Sequence, residues 1–252
     1  MRLLRLIVKS TPMGRDRIYA TDHSELEAFA FDDAVARVFP DMIKRSVPGY
    51  TTIIPMIGVI TEQYAQPNSQ LYDLGCSLGA SLLAMRHGIN QDGCHLIGVD
   101  NSKAMLEQCQ SYVEADTAET PVTLSLADVT DYELDKASVV TLNFTLQFIE
   151  TNQRLPLLKR IYDAMLPGGA LILSEKICFD PKEQSIQEKL HWDFKRANGY
   201  SDLEISQKRS ALENVLVPES ASDHFNRLHN AGFSQTQQWY QCFNFASFLA
   251  IK

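Results

Sequence analysis

The sequence has no long apolar run. Its apolar stretches are short, such as the eight residues IIPMIGVI at 53–60, whereas a membrane-spanning helix needs about 20 apolar residues. The first residues, MRLLRLIVKSTP, are basic and apolar, but they lack the length and the small-residue cleavage site of a secretory signal. We therefore predict a cytoplasmic protein with no membrane association and a disordered extension over residues 1–22.

Cysteine and histidine are few and scattered. The five cysteines contain no CxxC pair, and the six histidines form no cluster with them at zinc-binding spacing. Isolated cysteines of this kind are typical of reduced, mostly buried thiols in a cytosolic protein. The sequence therefore predicts no disulfide framework and no metal site.

The chain has fewer basic residues than acidic ones, 23 against 31. The net charge of -8 argues against a broad basic face, so we predict no direct, stable binding of nucleic acid. One stretch departs from this pattern, because DFKRANGYSDLEISQKRS at 193–210 concentrates Lys195, Arg196, Lys208 and Arg209. Alternating charges of this kind fit a solvated helix face, and they also fit a pocket for a small anion.

The middle of the chain alternates between strand and helix patterns, which is typical of a parallel sheet covered by helices. We predict one domain over residues 23–252, with a charge-rich helical insertion at 178–217. Residues 32–39 and 42–46 are predicted as two short helices separated by Pro40, and LPGG at 166–169 as a tight turn before a strand. The predicted strands are 70–74, 96–100, 123–126, 139–144 and 170–176, followed by a hairpin at 235–252; the helices between them are 80–87, 103–114 and 154–165.

The stretch LYDLGCSLG at 71–79 carries the clearest functional signal. A strand ends at Asp73, two glycines and small residues lead into a helix at about Ala80, and the next strand, HLIGVD, ends in Asp100. Glycines let a ligand approach the backbone, and a carboxylate after the second strand can accept hydrogen bonds from both ribose hydroxyls. Because the turn has neither GxGxxG nor GK[ST], it favours the cationic ligand S-adenosylmethionine over a pyrophosphate. Since Asp100 ends an open strand, we expect it to matter for the ligand and little for folding.

Two further strand ends point to the same edge of the sheet. Asp128 and Val129 follow the third strand, where a carboxylate and a backbone N–H could bind the adenine, and Asn143 closes the fourth. Asp128 alone also fits a turn former, and Asn143 alone a local backbone hydrogen bond. No catalytic triad, carboxylate pair or metal-ligand set is present, so no catalytic residue is assigned and the chemistry would depend on how the substrates are positioned. We interpret His191, beside Trp192, as a structural residue.

Several motifs together resemble the carboxy-S-adenosyl-L-methionine synthase family, over a span from about residue 31 to residue 252. They are SVPGY at 46–50, DLGCSLGA at 73–80, DNS at 100–102, NFTLQF at 143–148 and DFKRANGYSDLEISQKRS at 193–210. The resemblance implies an α/β protein with the Rossmann-like class I methyltransferase fold. Such a protein has a mostly parallel seven-stranded sheet, a C-terminal antiparallel hairpin and a helical insertion between strands five and six.

The resemblance also implies an unusual transferase. The family converts S-adenosyl-L-methionine and prephenate into carboxy-S-adenosyl-L-methionine and phenylpyruvate, as a homodimer. A partner tRNA carboxymethyltransferase then transfers the product's carboxymethyl group to a wobble uridine of tRNA. The implied ligand contacts are Tyr50, Gly75, Cys76, Ser77, Asp100, Asn101, Asp128, Val129, Asn143 and Arg209. The family pattern suggests isoleucine at position 129, and valine leaves the backbone contact intact.

Three other functions are compatible with the residues alone. An ordinary S-adenosylmethionine-dependent methyltransferase for a small molecule would use the same fold and the same turn. A non-catalytic metabolite sensor would use the pocket for binding only. A tRNA methyltransferase is disfavoured by the net charge of -8 and by the lack of an RNA-binding appendage.

Overall fold

The computed structural model describes residues 14–21, 29–213 and 215–252. Its strands are β1 (Gln70–Leu74), β2 (His95–Asp100), β3 (Val122–Leu126), β4 (Ala137–Asn143), β5 (Met165–Cys178), β6 (Glu219–Ser220), β7 (Gln235–Cys242) and β8 (Phe245–Ile251). Its helices are α1 (Asp33–Ser46), α2 (Tyr50–Tyr64), α3 (Ala80–Gly88), α4 (Lys103–Ala115), α5 (Thr151–Ala164), α6 (Pro181–Ala197), α7 (Asp202–Leu212) and α8 (Ala221–Ala231), with a short 3-10 helix at Leu146–Phe148.

Seven of the strands lie side by side in the order β3-β2-β1-β4-β5-β8-β7. The first five in this order pair in parallel, and β8 runs antiparallel between β5 and β7. Helices α6 and α7 form an insertion between β5 and the C-terminal hairpin. The predicted class I methyltransferase fold is therefore confirmed, with one addition: the two-residue strand β6 pairs with β5 beside this path.

Helices cover both faces of the sheet, which is why its central strands are apolar along their length. Helices α2 and α3 pack on one face through Ile53 and Leu82, and α5 and α8 pack on the other through Ile161 and Leu228. All four side chains are fully buried. Because the faces are closed, the open edge at the carboxyl ends of the parallel strands is the place left for a ligand.

Two local predictions are wrong. Residues 33–46 form one helix, not two, because Pro40 removes a single helical hydrogen bond while buried neighbours such as Ala36 and Met42 hold the helix against the protein. The segment 166–169 lies inside β5 as an irregularity, since Met165 pairs with Ala137 and Ala170 pairs with Val139. Between these two pairs the strand bulges away from β4, and Gly168 and Gly169 form backbone hydrogen bonds with Lys252.

Part of the predicted N-terminal extension is ordered against the insertion, so the expectation of disorder is wrong for residues 14–21. Asp16 is 2% exposed; its carboxylate accepts a hydrogen bond from the Tyr200 hydroxyl and lies 3.8 Å from the Lys208 ammonium. Arg45 donates to the backbone oxygens of Asp16 and Asn198, at 3.3 and 2.7 Å. The rest of the predicted extension, residues 1–13 and 22, lies outside the described residues. The boundary of the single domain stays a prediction.

Within the described part of the chain, none of the helices combines the length and the apolar character that crossing a membrane requires. The cytoplasmic location, the homodimer and the link to a tRNA-modifying enzyme stay predictions.

Replacing Asp16 should destabilise the protein, because Asp16→Ala leaves the buried Lys208 ammonium and the Tyr200 hydroxyl without their carboxylate. Breaking a buried ion pair on one side costs about 3 kcal/mol or more, so we expect a loss of about 3 kcal/mol in the free energy of unfolding, measured by urea denaturation. Asp92→Ala is the matched control, because Asp92 is exposed. A loss no larger than that of the control would contradict this role for residues 14–21.

Candidate functional site

The turn after β1 has a backbone conformation that requires glycine at position 75. Gly75 has a φ of 81°, and a Cβ there would lie 2.3 Å from Oγ1 of Thr145. The N–H groups of Gly75 and Cys76 both donate to the backbone oxygen of Val99, at 2.8 and 3.0 Å. The turn is thus attached to the end of β2, and a ligand can lie directly against its backbone.

Asp100, at the end of β2, connects this turn to the start of α4. One carboxylate oxygen accepts from the Ser77 N–H and the other from the Ser102 N–H, both at 2.8 Å. Burial raises the pKa of Asp100, and the backbone hydrogen bonds oppose that rise. The expectation that Asp100 matters little for folding is wrong, because both of its oxygens hold backbone. Each oxygen can accept a second hydrogen bond, so ribose hydroxyls still fit.

Two buried oxygens beside the turn have no hydrogen-bond partner among the described residues, Oδ1 of Asn143 and Oδ1 of Asp73. The other oxygen of Asp73 accepts from the Ser81 hydroxyl at 2.8 Å, and burial raises the Asp73 pKa to about 7. Asp73 also acts electrostatically on Tyr50, since burial and then the Asp73 carboxylate raise the Tyr50 pKa. An unsatisfied buried acceptor costs about 1–3 kcal/mol, so these atoms fit the amino group of a bound amino acid. Sequence reasoning did not include Asp73 in the site, although an acid that ends an apolar strand was the available signal.

The end of β3 offers a donor and an acceptor side by side. Oδ1 of Asp128 accepts from the N–H and the hydroxyl of Thr130, at 2.8 and 2.7 Å, so Asp128 is a turn former as well as a possible ligand contact. Within the described residues, its other oxygen and the Val129 N–H form no hydrogen bond. This pair matches the amine and a ring nitrogen along one edge of an adenine.

A cavity of about 790 Å³, a volume within the usual range for small-molecule sites, is lined by Asp100, Asp128, Val129 and Asn143. Asp73 is buried behind this lining, next to Ser81, which borders the cavity. All of the predicted contacts line it: Tyr50, Gly75, Cys76, Ser77, Asp100, Asn101, Asp128, Val129, Asn143 and Arg209. Sequence reasoning therefore selected residues that the fold brings together. Their individual contacts with a ligand stay predictions.

The basic stretch divides into residues inside and outside the cavity. Lys195, Lys208 and Arg209 line it, whereas Arg196 is exposed and forms ion pairs with Asp193 and Asp202, both at 2.7 Å. The prediction that Arg196 belongs to an anion pocket is therefore wrong. Arg196 follows Lys195 on α6, so its side chain points in a different direction, toward solvent.

Sequence reasoning missed a further cation of the cavity wall. Lys176, near the end of β5, lines the cavity too. Its signal in the sequence was a charged residue at the end of a predicted apolar strand.

His191 lines the cavity as a neutral, hydrogen-bonded side chain. Its Nε2 lies 2.8 Å from the backbone oxygen of Ser46 and donates to it, since a carbonyl only accepts. Burial, and then the charge of Lys195, place the His191 pKa well below its ordinary value. This arrangement supports the structural interpretation of His191. Among the residues that the structure describes, no group of three or more His, Cys, Asp or Glu side chains could hold a metal ion.

Comparison with known proteins shows that the fold is that of the class I methyltransferases. Residues 71–169 match the family model described as a methyltransferase domain. A solved structure of a putative O-methyltransferase from Nostoc punctiforme aligns with a TM-score of 0.62 at 15% identity, over 87% of this chain and 59% of that one. Human N-acetylserotonin methyltransferase, solved with SAM, aligns with a TM-score of 0.57 at 16% identity, over 87% of this chain and 55% of that one.

Sequence similarity narrows the class further. The carboxy-S-adenosyl-L-methionine synthase of Marinobacter nauticus is 66% identical over 238 residues, which cover 94% of this chain and 95% of that protein. The enzyme of the same name from Yersinia pestis is 55% identical over 239 residues, covering 94% and 90%. The chain belongs to the carboxy-S-adenosyl-L-methionine synthase family.

Asp100→Ala should have two effects. Losing charge-assisted hydrogen bonds to ribose should weaken S-adenosylmethionine binding by about 2–4 kcal/mol. Leaving two backbone N–H groups without their acceptor should also lower the free energy of unfolding by about 1–3 kcal/mol. Calorimetry measures the first effect and urea denaturation the second. Asp131→Ala, an exposed acid near the adenine end, is the control. Unchanged affinity in the Asp100 variant would remove this residue from the ribose site.

Proposed function

We propose that this chain carboxylates S-adenosyl-L-methionine, with prephenate as the carboxyl donor and phenylpyruvate as the second product. The product, carboxy-S-adenosyl-L-methionine, would then serve a partner enzyme that modifies the wobble uridine of tRNA. Membership of the synthase family supports the first part of this proposal. The choice of an anionic co-substrate rests on one structural observation. The cations Lys176, Lys195 and Arg209 line the same cavity as the residues expected to contact the nucleoside part of S-adenosylmethionine.

The order of the strands supports this choice. The groups that fit adenine follow β3, Asp100 ends β2, and the orphan oxygens of Asp73 and Asn143 belong to β1 and β4. Lys176 stands near the end of β5, the next strand along the sheet. A ligand laid across these ends, from adenine to methionine, therefore brings its sulfonium and its amino-acid end to the side of the sheet where the cations lie. A cationic wall beside a sulfonium is unfavourable unless an anion lies between them.

The overall reaction balances without a further reactant. Prephenate becomes aromatic by losing its ring carboxylate as carbon dioxide and its ring hydroxyl as hydroxide, which leaves phenylpyruvate. Hydroxide takes one proton from the methyl group that is attached to the sulfonium, and the methyl carbon bonds to the carbon dioxide. The described residues would bind both substrates, hold them in contact and exclude water, which agrees with the lack of an evident protein base.

Mass spectrometry of the products tests this function. The protein is incubated with S-adenosylmethionine, with and without prephenate. A gain of one carboxyl group on the S-adenosyl compound, only when prephenate is present, supports the proposal. Methyl transfer to an acceptor would instead favour an ordinary methyltransferase, and binding without turnover would favour a metabolite sensor.

Arg209 should distinguish the two forms of the ligand. Its guanidinium lies 5.6 Å from the Trp192 ring and borders the cavity, and its planar fork matches a carboxylate. We expect Arg209→Ala to weaken carboxy-S-adenosylmethionine by about 2–4 kcal/mol while barely affecting S-adenosylmethionine, both measured by calorimetry. Arg209→Lys should lose part of this preference, because a point charge cannot reproduce the fork.

Arg196→Ala is the matched control for Arg209, since it removes a guanidinium from the same basic stretch but outside the cavity. It should change neither affinity. Equal weakening of both ligands by Arg209→Ala would show that Arg209 acts on their shared part or on folding, and the account of specificity would be wrong.

A further inference from the structure

Lys195 has a buried ammonium with no counter-ion among the residues that the structure describes. The residue is 8% exposed and lines the cavity from the last turn of α6. Among the described residues, neither a hydrogen bond nor an ion pair reaches its ammonium. Burial, and then the charges of Lys208 and Lys176, lower its pKa to about 7, with no acid acting in the other direction. An uncompensated buried ammonium lowers the stability of the folded protein. An anion bound in the cavity would supply the missing counter-charge.

Lys176 faces the same space. Burial lowers its pKa, Glu188 opposes that shift and Arg209 adds to it. No ion pair with the described residues uses its ammonium, and Glu188 already accepts a hydrogen bond from Gln184 at 2.7 Å. Charge on Lys195, Lys176 and Lys208 lowers the pKa of His191, and all four residues line the same cavity.

Lys208 differs from the other two lysines, because the protein itself supplies its partners. Its ammonium donates to the Ser46 hydroxyl at 3.1 Å and lies 3.8 Å from the Asp16 carboxylate. Lys176 and Lys195 are thus the pair of cavity lysines that remains available to a ligand.

We propose that Lys176 and Lys195 form the subsite for the carboxylate that the co-substrate keeps through the reaction. This inference rests on the proposed function. The carboxylate that leaves must become neutral carbon dioxide, and a pair of ammonium groups around it would stabilise the charged reactant and slow its departure. The carboxylate on the pyruvyl side chain keeps its charge in phenylpyruvate, so holding it does not oppose the reaction. Apolar side chains that line the same cavity, including Val47, Trp192 and Phe245, fit the ring.

Binding of phenylpyruvate tests this subsite without turnover. Calorimetry measures its affinity for protein saturated with S-adenosylhomocysteine, in the wild type and in Lys195→Met and Lys176→Met. Each substitution keeps an unbranched side chain and removes one charge-assisted contact, so we expect phenylpyruvate to bind roughly 10- to 100-fold more weakly. The KM for prephenate should rise by the same factor with little change in kcat, as for binding that is equal in the ground and transition states.

Lys189→Met is the matched control, since it makes the same change on the exposed side of the same helix; we expect it to stay within about twofold. The affinity for S-adenosylhomocysteine should not change in any variant. The melting temperature of Lys195→Met should equal or exceed that of the wild type, because the change removes an uncompensated charge. A lower melting temperature would mean that this ammonium supports the fold, and it would overturn the assignment of Lys195.

The outcomes separate the subsite from the proposed function. If the wild type converts prephenate but both lysine variants bind phenylpyruvate with unchanged affinity, the subsite is wrong and the proposed function stands. If phenylpyruvate binding depends on both lysines but the wild type does not convert prephenate, the proposed function is wrong and the anion subsite stands. A wild type that does not bind phenylpyruvate at all overturns the subsite.

Discussion

The carboxylate of Asp100 is the constraint on which the site depends. Its two oxygens hold the Ser77 N–H on one side and the Ser102 N–H on the other, so one side chain sets the turn after β1 and the first turn of α4 at once. Ser102 in turn caps α4 by accepting from Met105. A ligand that adds hydrogen bonds to Asp100 therefore meets a carboxylate that the backbone has already oriented, and little ordering remains to be done when it binds.

Charge is separated along the cavity, and the separation follows the strand order. Asp100, Asp128 and free backbone groups serve the β2 and β3 ends, whereas the cations of the cavity come from β5, α6 and α7, with Glu188 of α6 as an acid among them. Among the buried lysines that the structure describes, Lys208 is neutralised by the protein through Asp16, whereas Lys195 has no such partner. Burying Lys195 without a partner lowers the stability of the folded protein. A bound anion would pair with this ammonium, and the resulting favourable interaction would add to the affinity of the anion. A ligand that binds only the folded state also stabilises it.

Local sequence patterns were enough to predict most of the fold and most of the residues that line the candidate site. The bounds of β1 were predicted without error, and the start of α3 was correct, because a buried apolar strand followed by a glycine turn is encoded in consecutive residues. The strand ends and the family motifs also placed Asp100, Asp128 and Asn143 on one cavity. Tertiary contacts decided two of the misses. Pro40 lies inside a helix that the core supports, and Asp16 finds its partners Tyr200 and Lys208 nearly two hundred residues away.

The division between Lys195 and Arg196 shows why composition alone could not define the anion wall. Consecutive residues on a helix point about 100° apart, so the shared face of His191 and Lys195 leaves Arg196 in solvent with its own acids. Lys176 comes from β5, the strand that precedes α6, and the parallel packing of β5 beside β4 brings it to the same cavity. The cationic wall is therefore a property of the fold, with one residue from the sheet and the others from the insertion. Because Asp16, Arg45 and Tyr200 attach that insertion to the N-terminal segment, the geometry of the wall depends on residues that never touch the ligand.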